Sequence, residues 1–210
     1  MINGERLVYL SRAMKNSTYK PIWIILPIVV FVLSTYSSAE QKQIELKNAE
    51  AYESRGVAYL EMRQYDKAIV NLNKALKMNP RDAYAHCNRG RSYAEQGLYD
   101  LAIHDYTKAI EINPKYEDAY FGRGLAFDAK GQYDLAISDY TKALEINPGD
   151  AGTYYARGFT YHLKREYLKA LIDIKKAESL GYPIHPKILN DLVNDFEAQD
   201  RRKNKALSSN

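Results

Sequence analysis

Gly97-Leu-Tyr-Asp-Leu-Ala-Ile-His-Asp-Tyr-Thr-Lys-Ala-Ile-Glu-Ile-Asn-Pro114 returns as Gly131-Gln-Tyr-Asp-Leu-Ala-Ile-Ser-Asp-Tyr-Thr-Lys-Ala-Leu-Glu-Ile-Asn-Pro148. Only three of these positions differ. The step from Gly97 to Gly131 is the length of one helical-hairpin unit, and a fixed period of this size marks an architecture of stacked repeats. The same step persists in both directions. Gly56, Gly90, Gly124 and Gly158 form one series, and Tyr59, Tyr93, Phe127 and Tyr161 a second. Ala68, Ala102, Ala136 and Ala170 form a third, and Ala75, Ala109, Ala143 and Ala177 a fourth. Pro80, Pro114 and Pro148 close three repeats, whereas the fourth ends Gly181-Tyr182-Pro183, its proline one place late.

Each repeat reads as two helices. Leu101, Ala102, Tyr106, Ala109, Ile110 and Ile112 follow helical spacing, and Asn113-Pro114 stops that helix because proline cannot continue it. Gly97 and Gly131 fall between the helices, where a left-handed cap is needed. The outer repeats have Arg63-Gln64 and Arg165-Glu166 there, which leaves their turns open to another geometry. A glycine inside a helix costs roughly 1 kcal/mol relative to alanine. Four at one interval therefore require a gain, and close crossing of two helices supplies it. Gly90 is expected to face Ala102 and Ala109, with Tyr93, Tyr99 and Tyr106 filling the space around the crossing.

Tyr52, Gly56, Tyr59, Ala68, Leu72, Ala75 and Pro80, then Tyr120, Gly124, Phe127, Ala136, Tyr140, Ala143 and Pro148, carry a known signature. The pattern resembles the tetratricopeptide repeat family over residues 49–182. It departs before each glycine, where Arg55, Arg89, Arg123 and Arg157 replace leucine, and at His86, where an aromatic is usual. Those arginines are expected to pair with a neighbouring helix or with solvent. The resemblance implies an all-α, right-handed α-solenoid of helix-turn-helix repeats that binds a protein or peptide on its concave side. Repeats are expected over 49–82, 83–116, 117–150 and 151–184. Leu189, Leu192, Val193 and Phe196 make an apolar stripe after Pro186, so 185–200 reads as a capping helix, and 201–210 as a frayed basic tail.

At the amino terminus, basic residues through Lys20 precede the apolar run Ile22–Leu33, followed by small polar residues and Ala39. That order marks residues 1–39 as a signal peptide, cut before Glu40, or a signal anchor built on 22–36. The segment would span about 22 Å as a helix, short of a hydrocarbon core about 30 Å thick. Either way the positive flank stays inside and the repeats lie outside the cytoplasm, periplasmic, secreted or tethered by one pass. Membrane contact through 22–36 applies if the leader is uncleaved. Residues 40–48 form a lead-in linker.

The net charge of +4 is uneven: both ends are basic, which leaves residues 40–200 at −3. That balance opposes nucleic acid as a partner, including the RNA-binding class of helical repeats. No phosphate loop, C-x-x-C pair or H-E-x-x-H is present, the four histidines lie in scattered positions, and the carboxylates read as solvated. No catalytic residue, metal or cofactor is expected. Cys87 is the lone cysteine and reads as a small buried residue.

Stacked helix pairs put their first helices on the concave side. The candidate binding residues are Glu53 and Val57, then Tyr84, Asn88 and Arg91, then Phe121 and Leu125, and finally Tyr155, Phe159 and His162. The stripe is acidic at its start and apolar-aromatic at its end. The chaperone-tail-binding subtype of the family uses lysine, asparagine and arginine on this stripe. Asn88 matches, but Glu53, Asp118 and Gly122 occupy the basic places, which argues against that ligand. A binding scaffold is the expected function, with a membrane-anchored assembly or adaptor factor as the alternative.

Overall fold

The structure, a computed structural model, describes residues 20–208, with side chains described between Ser38 and Asn204 except at Ala39 and Lys203. The leader readings on residues 1–19 lie outside it, as do the side chains of segment 22–36. Among the described residues there are nine helices and no strand: α1 (Lys20–Glu61), α2 (Tyr65–Met78), α3 (Ala83–Glu95), α4 (Tyr99–Ile112), α5 (Glu117–Ala129), α6 (Tyr133–Ile146), α7 (Ala151–Leu163), α8 (Tyr167–Ser179) and α9 (Pro186–Ser208). The backbone divides into two compact units, residues 1–48 and 49–210. The lead-in stretch 40–48 is helical, as part of α1. Among the described residues no helix is long and apolar enough to cross a membrane.

Within residues 49–210 each repeat is a helical hairpin that packs on the next. The close crossings expected at the glycines are present. A Cβ on Gly124 would lie 2.6 Å from the Tyr140 ring, and one on Gly56 would lie 2.7 Å from Leu72. Tyr106 fills the space between two successive first helices: its ring stands 3.2 Å from a Cβ position on Gly90 and 2.5 Å from one on Gly122. Ala68, Ala102, Ala136 and Ala170 are fully buried at these crossings, where any larger side chain would force the helices apart.

The turns of the outer repeats do not differ from the inner ones. Arg63 (φ 57°) and Arg165 (φ 59°) adopt the same left-handed conformation as Gly97 (φ 75°) and Gly131 (φ 70°). The hydrogen bonds explain why. Gln64, Leu98, Gln132 and Glu166 each return an N–H to the carbonyl five residues back, at 2.8 to 2.9 Å. This closure fixes the turn whichever residue sits at its corner. The second helices stop alike: Asn79, Asn113 and Asn147 each donate to the carbonyl four residues earlier at 2.8 Å, and proline follows.

Helix α9 takes the place of a fifth first helix. Leu192 stands one repeat period after Gly158, in the glycine series, and is 4% exposed against Ala170 and Ile174. Among the described residues no second helix crosses α9 there, so no close crossing calls for glycine and leucine covers the stack. The expected basic tail is helical as far as Ser208, because α9 continues where a further repeat would turn.

Candidate binding face

The first helices pack on one another as well as on their partners: α3 on α5, and α5 on α7. They therefore line the tighter side of the stack. On that side the candidate residues form two rows at the interval of one repeat. One runs Glu53, Cys87, Phe121, Tyr155 and Leu189; the other runs Val57, Arg91, Leu125, Phe159 and Val193. Tyr84, Leu125 and Phe159 are 46%, 44% and 49% exposed. Arg91 is exposed, while Glu53, Val57, Phe121, Tyr155 and His162 are half-buried.

Several candidates already have partners. Asn88 is buried, and its Nδ2 donates to the Tyr84 carbonyl at 2.9 Å. It is not presented to solvent, which removes the one match to the chaperone-tail subtype. Tyr155 stacks on Tyr182, with centroids 4.6 Å apart. His162 Nε2 lies 3.1 Å from Asp195 Oδ2 on α9. Cys87 is a free, buried thiol, and burial pushes its pKa up to about 12. It therefore packs rather than reacts.

Electrostatics sharpen the acidic end. Burial pushes the Glu53 carboxyl up to about 7, helped by a hydrogen bond with Asp82 and by the charges of Asp82 and Glu50. Asp82 is also the N-cap of α3, accepting from Ala85 N at 3.0 Å.

Three carboxylates of the second helices are not solvated, contrary to expectation, although Asp100, Glu111, Asp134 and Glu145 on the same helices are exposed. Asp105, Asp139 and Asp173 are 1%, 5% and 4% exposed. Each takes a two-pronged hydrogen bond from the arginine that replaces leucine: Arg89 on Asp105 at 2.6 and 2.6 Å, Arg123 on Asp139 at 2.7 and 2.8 Å, Arg157 on Asp173 at 2.7 and 3.0 Å. The third guanidinium nitrogen reaches back to the preceding repeat, onto Asn73 (2.6 Å), Thr107 (3.0 Å) and Thr141 (3.0 Å). Each arginine thus ties three helices. Burial opposes the Asp105 charge, but hydrogen bonds from Arg89 and His86 outweigh it and hold that carboxyl below its usual range. Repeat one lacks the device. Asn71 stands in the aspartate series and donates to the Lys67 carbonyl, while Arg55 is exposed above the Tyr52 ring. Sequence reasoning missed these aspartates; their constant spacing of 16 residues from the arginines was the available signal.

The tetratricopeptide repeat family matches residues 83–116 and 117–150, and related repeat families match 60–97 and 139–172. A crystal structure of MamA shares 30% sequence identity, with TM-score 0.61, over 63% of this chain and 78% of that one. The chain belongs to the tetratricopeptide repeat family. A tetratricopeptide domain of OM64 from Arabidopsis is 28% identical, with TM-score 0.56, over 57% of this chain and 98% of that one. A thermophilic tetratricopeptide protein of Thermus thermophilus is 26% identical, with TM-score 0.59, over 70% of this chain and 82% of that one. No curated protein matches the sequence. Tetratricopeptide arrays are protein–protein interaction scaffolds, and this one spends its buried charges on holding repeats together. Exposed apolar residues stand on both its first and its second helices.

Proposed function

We propose that this tetratricopeptide array docks a protein or peptide along its first-helix face, outside the cytoplasm, and performs no catalysis. The observation that carries the reading is the exposure of four apolar side chains on the first helices, Tyr84, Leu125, Phe159 and Leu163, of which Leu125 and Phe159 share one row, while the arginine–aspartate clamps are used inside the stack. Burying exposed apolar surface is the main favourable term in most protein–protein association, and aromatic anchors such as Tyr84 are over-represented among the residues that carry it.

The test is site-specific photocrosslinking in the native cell. Probes at Leu125 and Phe159 should trap one protein, and Leu125→Ser or Phe159→Ser should abolish its capture without changing thermal stability. Capture of the same protein only from Leu135, on a second helix, would overturn the reading. The exported location is supported by the charge and apolar order of the leader. Amino-terminal mass measurement tests it: a mature chain beginning at Glu40 indicates release. A membrane-anchored assembly factor is the second reading. An intact leader in the membrane fraction would establish it.

A further inference from the structure

Repeats two and three fill the joint to the next first helix with a tyrosine ring; repeat four does not. The series runs Leu72, Tyr106, Tyr140, Ile174. Tyr106 reaches Gly122 on the following first helix. Tyr140 packs on Gly124, lies 6.0 Å from the Phe121 ring and donates its hydroxyl to Asp128 Oδ2 at 2.8 Å, the same oxygen that accepts from Thr160 of the following first helix at 2.6 Å. Beside Ile174 there is instead a cavity of about 150 Å³. Its lining repeats the surroundings of Tyr140 one period later: Gly158 for Gly124, Tyr155 for Phe121, His162 for Asp128. Ile188, Asp191 and Leu192 of α9 close the other side.

We infer that this cavity is a binding pocket for one aromatic side chain, phenylalanine or tyrosine, of the docked partner. The ring takes the position that Tyr106 and Tyr140 hold in the inner repeats. The inference rests on reading the first-helix face as the docking surface. The volume fits: a cavity of about 150 Å³ lined by apolar side chains accepts a benzene ring. The access fits as well, since Phe159 is 49% exposed and the His162 side chain 37% exposed, so the lining reaches the first-helix face. Asp191 and His162 are the polar groups of the lining, and His162 Nε2 already faces Asp195.

The experiment uses the full-length chain and p-cresol, the tyrosine side chain as a free molecule. In methyl-detected NMR, p-cresol should shift Ile174, Ile188 and Leu192 and leave Leu72 unmoved. Ile174→Tyr should fill the cavity, raise the thermal midpoint and weaken p-cresol binding at least tenfold. Ile174→Phe serves as a second filler should the hydroxyl disturb folding. Absence of these shifts, or equal p-cresol binding by wild type and a folded filler variant, overturns the inference. A partner trapped at Leu125 that binds Ile174→Phe as tightly as wild type also overturns it, while leaving the docking face intact. Failure of the docking face itself is read separately, from the Leu125→Ser and Phe159→Ser variants.

Discussion

Repeats two and three are near copies; repeats one and four are not, and the differences fall on a few rows. In the inner pair a buried aspartate closes the arginine clamp and a tyrosine ring fills the joint to the next repeat. Repeat one has Asn71 and Leu72 at those places; repeat four keeps Asp173 but has Ile174. The helices, turns and crossings are common to all four. The backbone plan therefore depends on the small residues and the prolines. Two side-chain rows decide whether a joint is locked, relaxed or receptive.

The sharpest way to break the comparison is to make an inner repeat resemble the first. Asp139→Ala leaves the Arg123 guanidinium, 19% exposed, with no counter-charge. Stranding a buried ion in this way costs about 3 kcal/mol. Asn71→Ala, in the same row, should cost under about 1 kcal/mol, because it removes one neutral hydrogen bond. Urea unfolding of both variants measures the gap, and equal losses would mean that the clamp adds nothing. In acid the clamp should also fail: the Asp105 carboxyl is held low, so its contribution is present above about pH 4, the unfolded value, and is lost as pH falls through the lower folded value.

Next in size is the glycine pair around Tyr106. Alanine would gain roughly 1 kcal/mol of helix propensity at either site. At Gly122 its Cβ would sit 2.5 Å from the ring, an overpacking that costs about 2–3 kcal/mol, for a net loss of about 1–2 kcal/mol. At Gly90 the nearest approach is 3.2 Å, so Gly90→Ala should fall near zero. Thermal midpoints distinguish the two, and the reverse order would refute the packing argument.

Much of this fold is legible in the sequence alone. The periodic series of glycine, alanine and proline gives the hairpins, their crossings and their ends, because steric demands leave few residue types for those places. The aspartates were hidden for a definable reason. Asp105 and Asp139 sit in near-identical copies, where recurrence carries no separate information, and an aspartate on an isolated amphipathic helix defaults to solvent. Only its pairing with an arginine 16 residues earlier, on another helix, makes it an interior group. Asp173, retained where the surrounding sequence has diverged, was the telling instance. The turns at Arg63 and Arg165 were hidden differently. There a hydrogen-bond closure overrides residue preference, and sequence reveals preference alone. The first-helix rows were legible as rows, but the partners already held by Asn88, Tyr155 and His162 were not.

Smaller effects sharpen the outer repeats. Arg165→Gly should stabilise by about 1 kcal/mol, since the left-handed conformation costs an ordinary residue that much. Gly131→Arg should lose a similar amount, and chemical denaturation tests the symmetry. Smallest is a change in the shape of the pH profile. Glu53 titrates near 7 in the fold, above its unfolded value of about 4.3, so its favourable neutral form contributes fully below about pH 4.3. That contribution fades as pH rises through about 7. Glu53→Gln should flatten the decline, with its advantage greatest above pH 7; a parallel profile would exclude Glu53 as the source.

Because every clamp arginine holds both its own hairpin and the one before it, a copied unit inherits usable borders. Thr107 and Thr141 offer the same oxygen to whichever guanidinium follows, so a tandem duplication of residues 117–150 would find each of its bonds waiting on either side. The gene can thus lengthen its product by whole periods from the middle, whereas growth at the amino end must begin from a hairpin that lacks the lock.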